Sequence, residues 1–285
     1  MKYSIEQLHS YSYLFSSQTC ARSLRFGDIE EVQYVFKKYD GDRGLTMSCW
    51  EYLAKVYDIL KRHYRNEYVY KNELINSFIK KKYCSSDTVI INEFGAGRSI
   101  ADIATFNGAS KAFEIKSERD SDKRLINQLN DYQRLFEECF VVVPEELHEK
   151  YLSMIDEHVG MIALEHTDRG SIKLHQVRPS QKNETVDIDI LMQSVRTPEY
   201  KWMVSQVCGE LPDVSCFKMY DACREILSAI PSDQLHKLFN EAVKQRKNYI
   251  SSLEDKGTDV RQLFLSMNLS ARKESELTAL YSQTI

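Results

Sequence analysis

A block of strand-like runs set between two helical regions restricts the fold of this chain more than any other feature. Thr88–Glu93 (TVIINE), Ser99–Phe106, Lys111–Lys116, Phe140–Val143, Gly160–Glu165 and Ser171–Val177 are rich in β-branched or alternating residues, the pattern of sheet strands. Between the third and fourth runs, the spacing predicts a helix from Ser121 to Glu138. Leu125, Leu129, Tyr132 and Phe136 form its apolar stripe, and Asp120 or Ser121 can cap its start by accepting from an orphan backbone N–H. The order of strands, helix, strand, short helix and further strands predicts an α/β fold with a central mixed β-sheet flanked by helices.

The flanks read as helical. Asp28–Tyr39 and Trp50–Tyr64 carry apolar residues at helical spacing, and a further helix is expected over Glu67 to Lys82. Asp40 to Gly44 reads as a loop. Towards the C-terminus, Ser232–Leu253 is the clearest helix, with Ser232 as its expected N-cap, and Ser270–Gln283 is also helical in pattern. The expected organisation is a helical N-terminal region over 1–65, a core over 66–180 and a helical C-terminal region over 181–285.

With 285 residues the chain can bury a sizeable core. Its net charge of −4 gives no global basic signature, so a nucleic-acid partner has to be met by local patches of Lys and Arg. The N-terminal stretch has no long apolar run, and nowhere does the chain approach the roughly 18 apolar residues of a membrane helix. A cytoplasmic protein without membrane association is expected. The seven cysteines are scattered with no CxxC pair, which predicts buried reduced thiols rather than disulfides or a zinc site.

The chemistry lies between Arg98 and Tyr132. On a strand through Phe113-Glu114-Ile115-Lys116, alternation puts Phe113 and Ile115 on one face, suited to the core, and Glu114 beside Lys116 on the other. Asp102 sits on the preceding strand, across the hairpin signal Asn107-Gly108. A two-residue loop would pair 106 with 109 and set Asp102 opposite Phe113. A loop of Asn107-Gly108-Ala109 would pair 106 with 110 and set Asp102 opposite Glu114, with Cβ atoms roughly 5 Å apart. Like charges so close repel unless a dication lies between them, so a metal site requires the odd-length loop or a bulge of the same parity. Mg²⁺ needs only one or two carboxylates besides water and substrate phosphate, and a lysine can stabilise charge developing on that phosphate.

The sequence Asp102 … Glu114-Ile-Lys116, followed by a helix with Asp120-Ser-Asp-Lys-Arg-Leu-Ile-Asn-Gln128, resembles the PD-(D/E)XK, or restriction-endonuclease-like, superfamily, and most of all a bacterial branch of it. The likeness extends to the Tyr64–Glu73 block and the C-terminal helices. The proline that names the motif is missing, since Ala101 precedes Asp102. The resemblance implies a restriction-endonuclease-like core with helical extensions, hydrolysing phosphodiester bonds with Mg²⁺ or Mn²⁺. It implies Asp102 and Glu114 as metal ligands, Lys116 as a catalytic residue, Gln128 on the helix pointing into the site, and Glu73 as a further acidic ligand, with Glu67 as second choice. DNA is the expected substrate, in mobile-element maintenance, defence or repair. The alternative is a nuclease-fold module without activity that binds nucleic acid or protein.

Other residues have more ordinary readings. Tyr132 falls in the apolar stripe and reads as core. Lys123 and Arg124 either contact phosphate or solvate the helix start. The run Lys61–Arg65 and the triplet Lys80, Lys81 and Lys82 flank the helix of Glu73 and would steer nucleic acid towards the cleft or merely solvate a helix face. His158, His166 and His175 lack metal spacing with neighbouring carboxylates and read as structural, and Gly95-Ala-Gly97 reads as a turn before the Asp102 strand, too short for a phosphate loop. The helical flanks are candidates for a homodimer or a protein partner.

Overall fold

The computed structural model describes residues 3–41, 46–82, 87–118, 120–167, 170–246, 253 and 255–285. In chain order come helices α1 (Ile5–Tyr13), α2 (Ser17–Phe26), α3 (Glu30–Tyr39), α4 (Cys49–His63), α5 (Glu67–Glu73) and α6 (Lys80–Lys82). Strands β1 (Val89–Ala96), β2 (Ser99–Phe106) and β3 (Ser110–Ile115) follow, then α7 (Leu125–Gln133), β4 (Glu138–Pro144), α8 (His148–Leu152), β5 (Gly160–His166) and β6 (Ile172–Arg178). The chain ends with α9 (Ile188–Ser194), α10 (Thr197–Cys208), α11 (Met219–Ser228), α12 (Ser232–Lys244), α13 (Arg261–Met267) and α14 (Ala271–Tyr281). This is the mixed α/β architecture expected from the sequence, with helical regions at both ends.

The chain forms two compact units: Met1–Ser77 with His166–Lys173 and Leu253–Ile285, and Phe78–Glu165 with Leu174–Ser252. These units cut across the three regions read from the sequence, because the last helices of the chain group with the first. The first unit is helical. Its α4 starts in a capping box, in which Ser48 Oγ accepts from the Glu51 N–H and the Glu51 carboxylate accepts from the Ser48 N–H. Ser48 also bridges to Thr284, pinning the end of the chain to the start of α4. Asp40, at the end of α3, is buried, and Asp42 to Gly44 lie outside the described residues. The continuous helix expected over Glu67 to Lys82 is instead α5, a π-helical stretch Leu74–Ile79 and the short α6.

The second unit is built on a six-stranded sheet in the order β1-β2-β3-β4-β5-β6. β1, β2 and β3 are antiparallel neighbours, and β4 and β5 continue in parallel from β3. Gly160 on β5 lies opposite Phe140 on β4, and a Cβ there would come within 2.5 Å of the Phe140 ring. Only glycine fits that close approach. On one face of the sheet, Phe94, Phe106, Phe136 and Phe239 form an aromatic cluster with edge-to-face and tilted contacts, supplied by β1, β2, the segment after α7, and α12.

Several boundaries differ from the sequence reading. α7 begins at Leu125 rather than Ser121, because Asp120 Oδ2 accepts from the Ser117 N–H and Ser121 Oγ from the Lys123 N–H, holding 120–124 in turns. It ends at Gln133, since Glu138 already belongs to β4. Ser232 is the first residue of α12 rather than its cap, and α12 ends at Lys244. Cys20, Cys49, Cys139 and Cys223 are buried free thiols as expected, whereas Cys208 and Cys216 are exposed, and Cys84 lies outside the described residues. Among the described residues no helix is long and apolar enough to cross a membrane.

The Asp40 carboxylate accepts from the hydroxyls of Tyr11 (2.7 Å) and Tyr52 (2.9 Å) and from Lys55 Nζ (3.1 Å). Burial opposes its charge, but these donors outweigh burial and hold its carboxyl below the ordinary aspartate value. An acid whose pKa is lowered by folding stabilises the fold above its unfolded pKa and loses that contribution as pH falls through the folded value. Asp40→Asn is therefore expected to be less stable than wild type at neutral pH. In urea unfolding over a pH series, the gap should close as pH drops below 3.8.

Candidate active site

The β2–β3 hairpin decides the geometry of the site. Phe106 pairs with Ser110, so the loop is the three residues Asn107-Gly108-Ala109, and the register continues through Thr105↔Lys111, Ala104↔Ala112 and Ile103↔Phe113. One step further sets Asp102 opposite Glu114. Gly108 takes φ +95°, a left-handed conformation that favours glycine. The loop is held from outside the hairpin: with its amide turned so that the oxygen faces the two donors, the orientation that satisfies both of its ends, buried Asn240 on α12 accepts from the N–H of Gly108 (2.8 Å) and Ala109 (3.2 Å).

Both faces of β3 are covered. Phe113 stacks on Phe140 at 5.2 Å on one side. Glu114 shares its face with Ala112, a member of the main core on which α7 packs. Alternation thus separates the two pairs of side chains, but the Glu114 face is not an open one: Glu114 is 2% exposed and Lys116 8%. Lys116 follows the last residue of β3, and its N–H donates to the Val142 carbonyl.

The side chains form a connected set. Lys116 Nζ donates to Glu114 Oε1 at 2.7 Å and to Gln128 Oε1 at 3.1 Å. Tyr132 Oη lies 2.7 Å from Glu114 Oε2 and 2.7 Å from the Ile100 carbonyl. Asp102 Oδ2 accepts from the Ile115 N–H at 2.8 Å. Burial, then the nearby Asp102 charge, raises the Glu114 carboxyl above its ordinary value, against the pull of Lys116 and Tyr132. Burial and the Glu114 charge likewise hold the proton on the Tyr132 phenol.

The structure thus brings Asp102, Glu114, Lys116 and Gln128 together. Glu73 lies in the helical unit, where its Oε1 accepts from the Tyr57 hydroxyl at 2.7 Å. Among the described residues, no three His, Cys, Asp or Glu side chains converge as a metal group. Lys80 and Lys81 are on α6, Lys80 half-buried and Lys81 exposed, and nothing is described of the Lys82 side chain. Lys123 and Arg124 are exposed at the start of α7.

Three features were missed in the sequence. Tyr132 is a core residue, as its place in the stripe suggested, but its hydroxyl also holds Glu114. Glu93 has φ +57°, uncommon for a residue with a side chain. It stands opposite Asp102 in the β1–β2 register, between Asn92↔Ile103 and Phe94↔Ala101. The core-facing side of β1 changes there, from Val89 and Ile91 to Phe94 and Ala96, and the unbroken run TVIINEF carries no sign of that change. Lastly, a groove of about 630 Å³ opens beside Gln128 between the start of β2 and α7, lined in part by Arg98, Ile100 and Arg124. Gly97 and Arg98 form the β1–β2 turn that delivers Arg98 to this groove, whereas the sequence had suggested a turn at Gly95–Gly97.

Fold and site define a helix-flanked mixed-sheet protein with two facing carboxylates, a lysine and a glutamine gathered at β2, β3 and α7. The family described as bacteriophage P4 protein cII matches residues 60–265, and the chain belongs to that family. Protein cII of Enterobacteria phage P4 is 30% identical over 182 residues, spanning 61% of this chain and 66% of that protein. A solved protein of unknown function from Silicibacter pomeroyi aligns over 52% of this chain and 94% of its own at 16% identity, with a TM-score of 0.33, too loose a likeness to carry an argument.

Tyr132→Phe removes the hydroxyl between Glu114 and the Ile100 carbonyl and leaves the buried Glu114 carboxylate short of a donor. The expected loss of stability is about 1–3 kcal/mol, read by urea unfolding without metal.

Proposed function

We propose that this chain is a divalent-metal-dependent nuclease of the PD-(D/E)XK kind that hydrolyses phosphodiester bonds, with DNA as the first substrate to test. The observation that carries the reading is the hairpin register, which sets Asp102 opposite Glu114 on the face that also holds Lys116 and Gln128. The family is named for a phage protein rather than for a reaction, so the chemistry is argued from the site. A phage relative suits the setting of mobile-element maintenance.

The donor set suits Mg²⁺ or Mn²⁺. Burial, and then the facing Asp102 charge, raise the Glu114 pKa; two hard carboxylates so placed are an arrangement that a dication relieves, and Mg²⁺ takes the rest of its oxygen ligands from water and phosphate. Asp102 and Glu114 would hold the ion, which when bound polarises the phosphate and acidifies nearby water. Glu73, engaged by Tyr57 in the helical unit, is not needed by this reading.

The protein's own groups supply the remainder. Lys116 is fixed from two sides, by Glu114 and by Gln128, which preorganises its positive charge for the negative charge that grows on the phosphate during attack. The Gln128 oxygen is occupied by Lys116, and its amide N–H groups are the donors it has for substrate oxygen. Tyr132 fixes one Glu114 oxygen, and the Ile115 N–H fixes Asp102.

The test is cleavage of supercoiled DNA, linear duplex, single strands and RNA by wild type and Glu114→Ala, with Mg²⁺, Mn²⁺ or EDTA. Wild type is expected to cleave at least one of these, with a loss of at least about hundredfold in the variant and none remaining in EDTA. Mn²⁺ is also expected to raise the melting temperature of wild type but not of Glu114→Ala, because a ligand that binds only the native state stabilises it. No cleavage of any substrate together with no Mn²⁺ shift defeats the reading and leaves a nuclease-fold binding module.

A further inference from the structure

The groove beside the site has the chemistry of a strand-binding surface. Arg98 enters it from the β1–β2 turn and Arg124 from the start of α7, and both are exposed. Neither guanidinium has an ion-pair or hydrogen-bond partner among the described residues. Of the other described arginines in this unit, Arg134 pairs with Asp187, Arg224 with Asp189 and Arg246 with Glu199, Arg178 donates to the carbonyls of Val159 and Asp156, and Arg196 is exposed outside the groove. Two unneutralised guanidiniums on one groove form a local basic patch on a chain whose net charge is −4, and local patches are what phosphate contacts demand.

The rest of the lining agrees. Asn127, Gln128 and Asn130 add amide donors along α7, and Ile100, 59% exposed, offers an apolar surface to a sugar or base. The one carboxylate among the described lining residues, Asp131, is engaged by the protein itself, accepting from Ser99 Oγ at 2.6 Å and from the Arg98 N–H at 3.3 Å. The groove is also joined to the carboxylate pair. Gln128 lines it and accepts from Lys116, while Tyr132 Oη lies between the Ile100 carbonyl and Glu114. A chain lying in the groove would therefore run directly to Lys116.

We propose that this groove seats the nucleic-acid backbone next to the scissile phosphate, with Arg98 and Arg124 each contacting a flanking phosphodiester. The proposal rests on the nuclease reading for the identity of the scissile phosphate but not for the binding itself. Arg matches phosphate oxygens with a planar fork of donors, and each contact releases counterions, which makes its loss visible in salt dependence.

The experiment is fluorescence anisotropy with one labelled oligonucleotide sequence, prepared as single-stranded DNA, as duplex DNA and as RNA, so that the arms identify the source of the backbone. Binding is measured on the full chain with Mg²⁺ in the Glu114→Gln background, alone and combined with Arg98→Ala/Arg124→Ala or Arg98→Lys/Arg124→Lys, over a salt series. Both arginines are exposed, and melting temperatures of the variants check that the fold is kept. The alanine pair is expected to weaken binding about tenfold per arginine and to lower the slope of log affinity against log salt by about two. The lysine pair, which keeps the charge, should retain most of the slope. Unchanged affinity and slope in the alanine pair would overturn the groove while leaving the nuclease reading to its own cleavage test. Failure of the parent to bind all three oligonucleotides would overturn it as well. If the arginines prove necessary for binding but wild type cleaves nothing and shows no Mn²⁺ shift, the groove stands and the nuclease reading falls.

Discussion

Parity in the β2–β3 hairpin is the constraint on which the site depends. Side chains alternate along a strand, so a loop of one length puts Asp102 among the Phe113 contacts and the next length puts it against Glu114. The loop is Asn107-Gly108-Ala109, and its backbone is gripped by Asn240 from α12. A helix more than a hundred residues further along the chain therefore helps to fix the register. Once Asp102 faces Glu114, the places of Lys116, Gln128 and Tyr132 follow from strand alternation and from the packing of α7 on that face.

The arrangement works against stability where it stands. Glu114 is nearly inaccessible and faces a second acid, an arrangement that burial alone penalises. A lysine, a tyrosine hydroxyl and a backbone N–H offset the penalty by hydrogen bonding to the two carboxylates. On the adjacent strand, Glu93 holds a left-handed backbone opposite Asp102, a conformation that costs roughly 1–2 kcal/mol for a residue with a Cβ. Local strain and buried charge at one level of one sheet are the usual companions of a functional site.

Much of this was legible in the sequence, for reasons that are local. Strand periodicity located all six strands of the sheet to within a few residues, because β-branched runs between polar breaks have few alternative uses. The Glu114–Lys116 pairing needed only alternation. What was hidden depends on distant partners. Loop length remained open between two parities, and Asn240 lies far from the hairpin in sequence. The start of α7 was displaced by side-chain bonds from Asp120 and Ser121 that compete with the helix. Tyr132 announced a core position but not the hydroxyl's bond to Glu114. Grouping of the C-terminal helices with the first unit leaves no mark in local pattern at all.

The three-residue loop also says something about how such a chain can diverge. Register is a discrete variable: adding or deleting one residue there moves the pairing by a whole step and exchanges the faces of everything beyond it. A substitution in the loop changes only how firmly the same step is held. Descendants of this chain are accordingly free to vary the letters between β2 and β3, whereas their spacing is inherited intact or the acid pair is lost at a stroke.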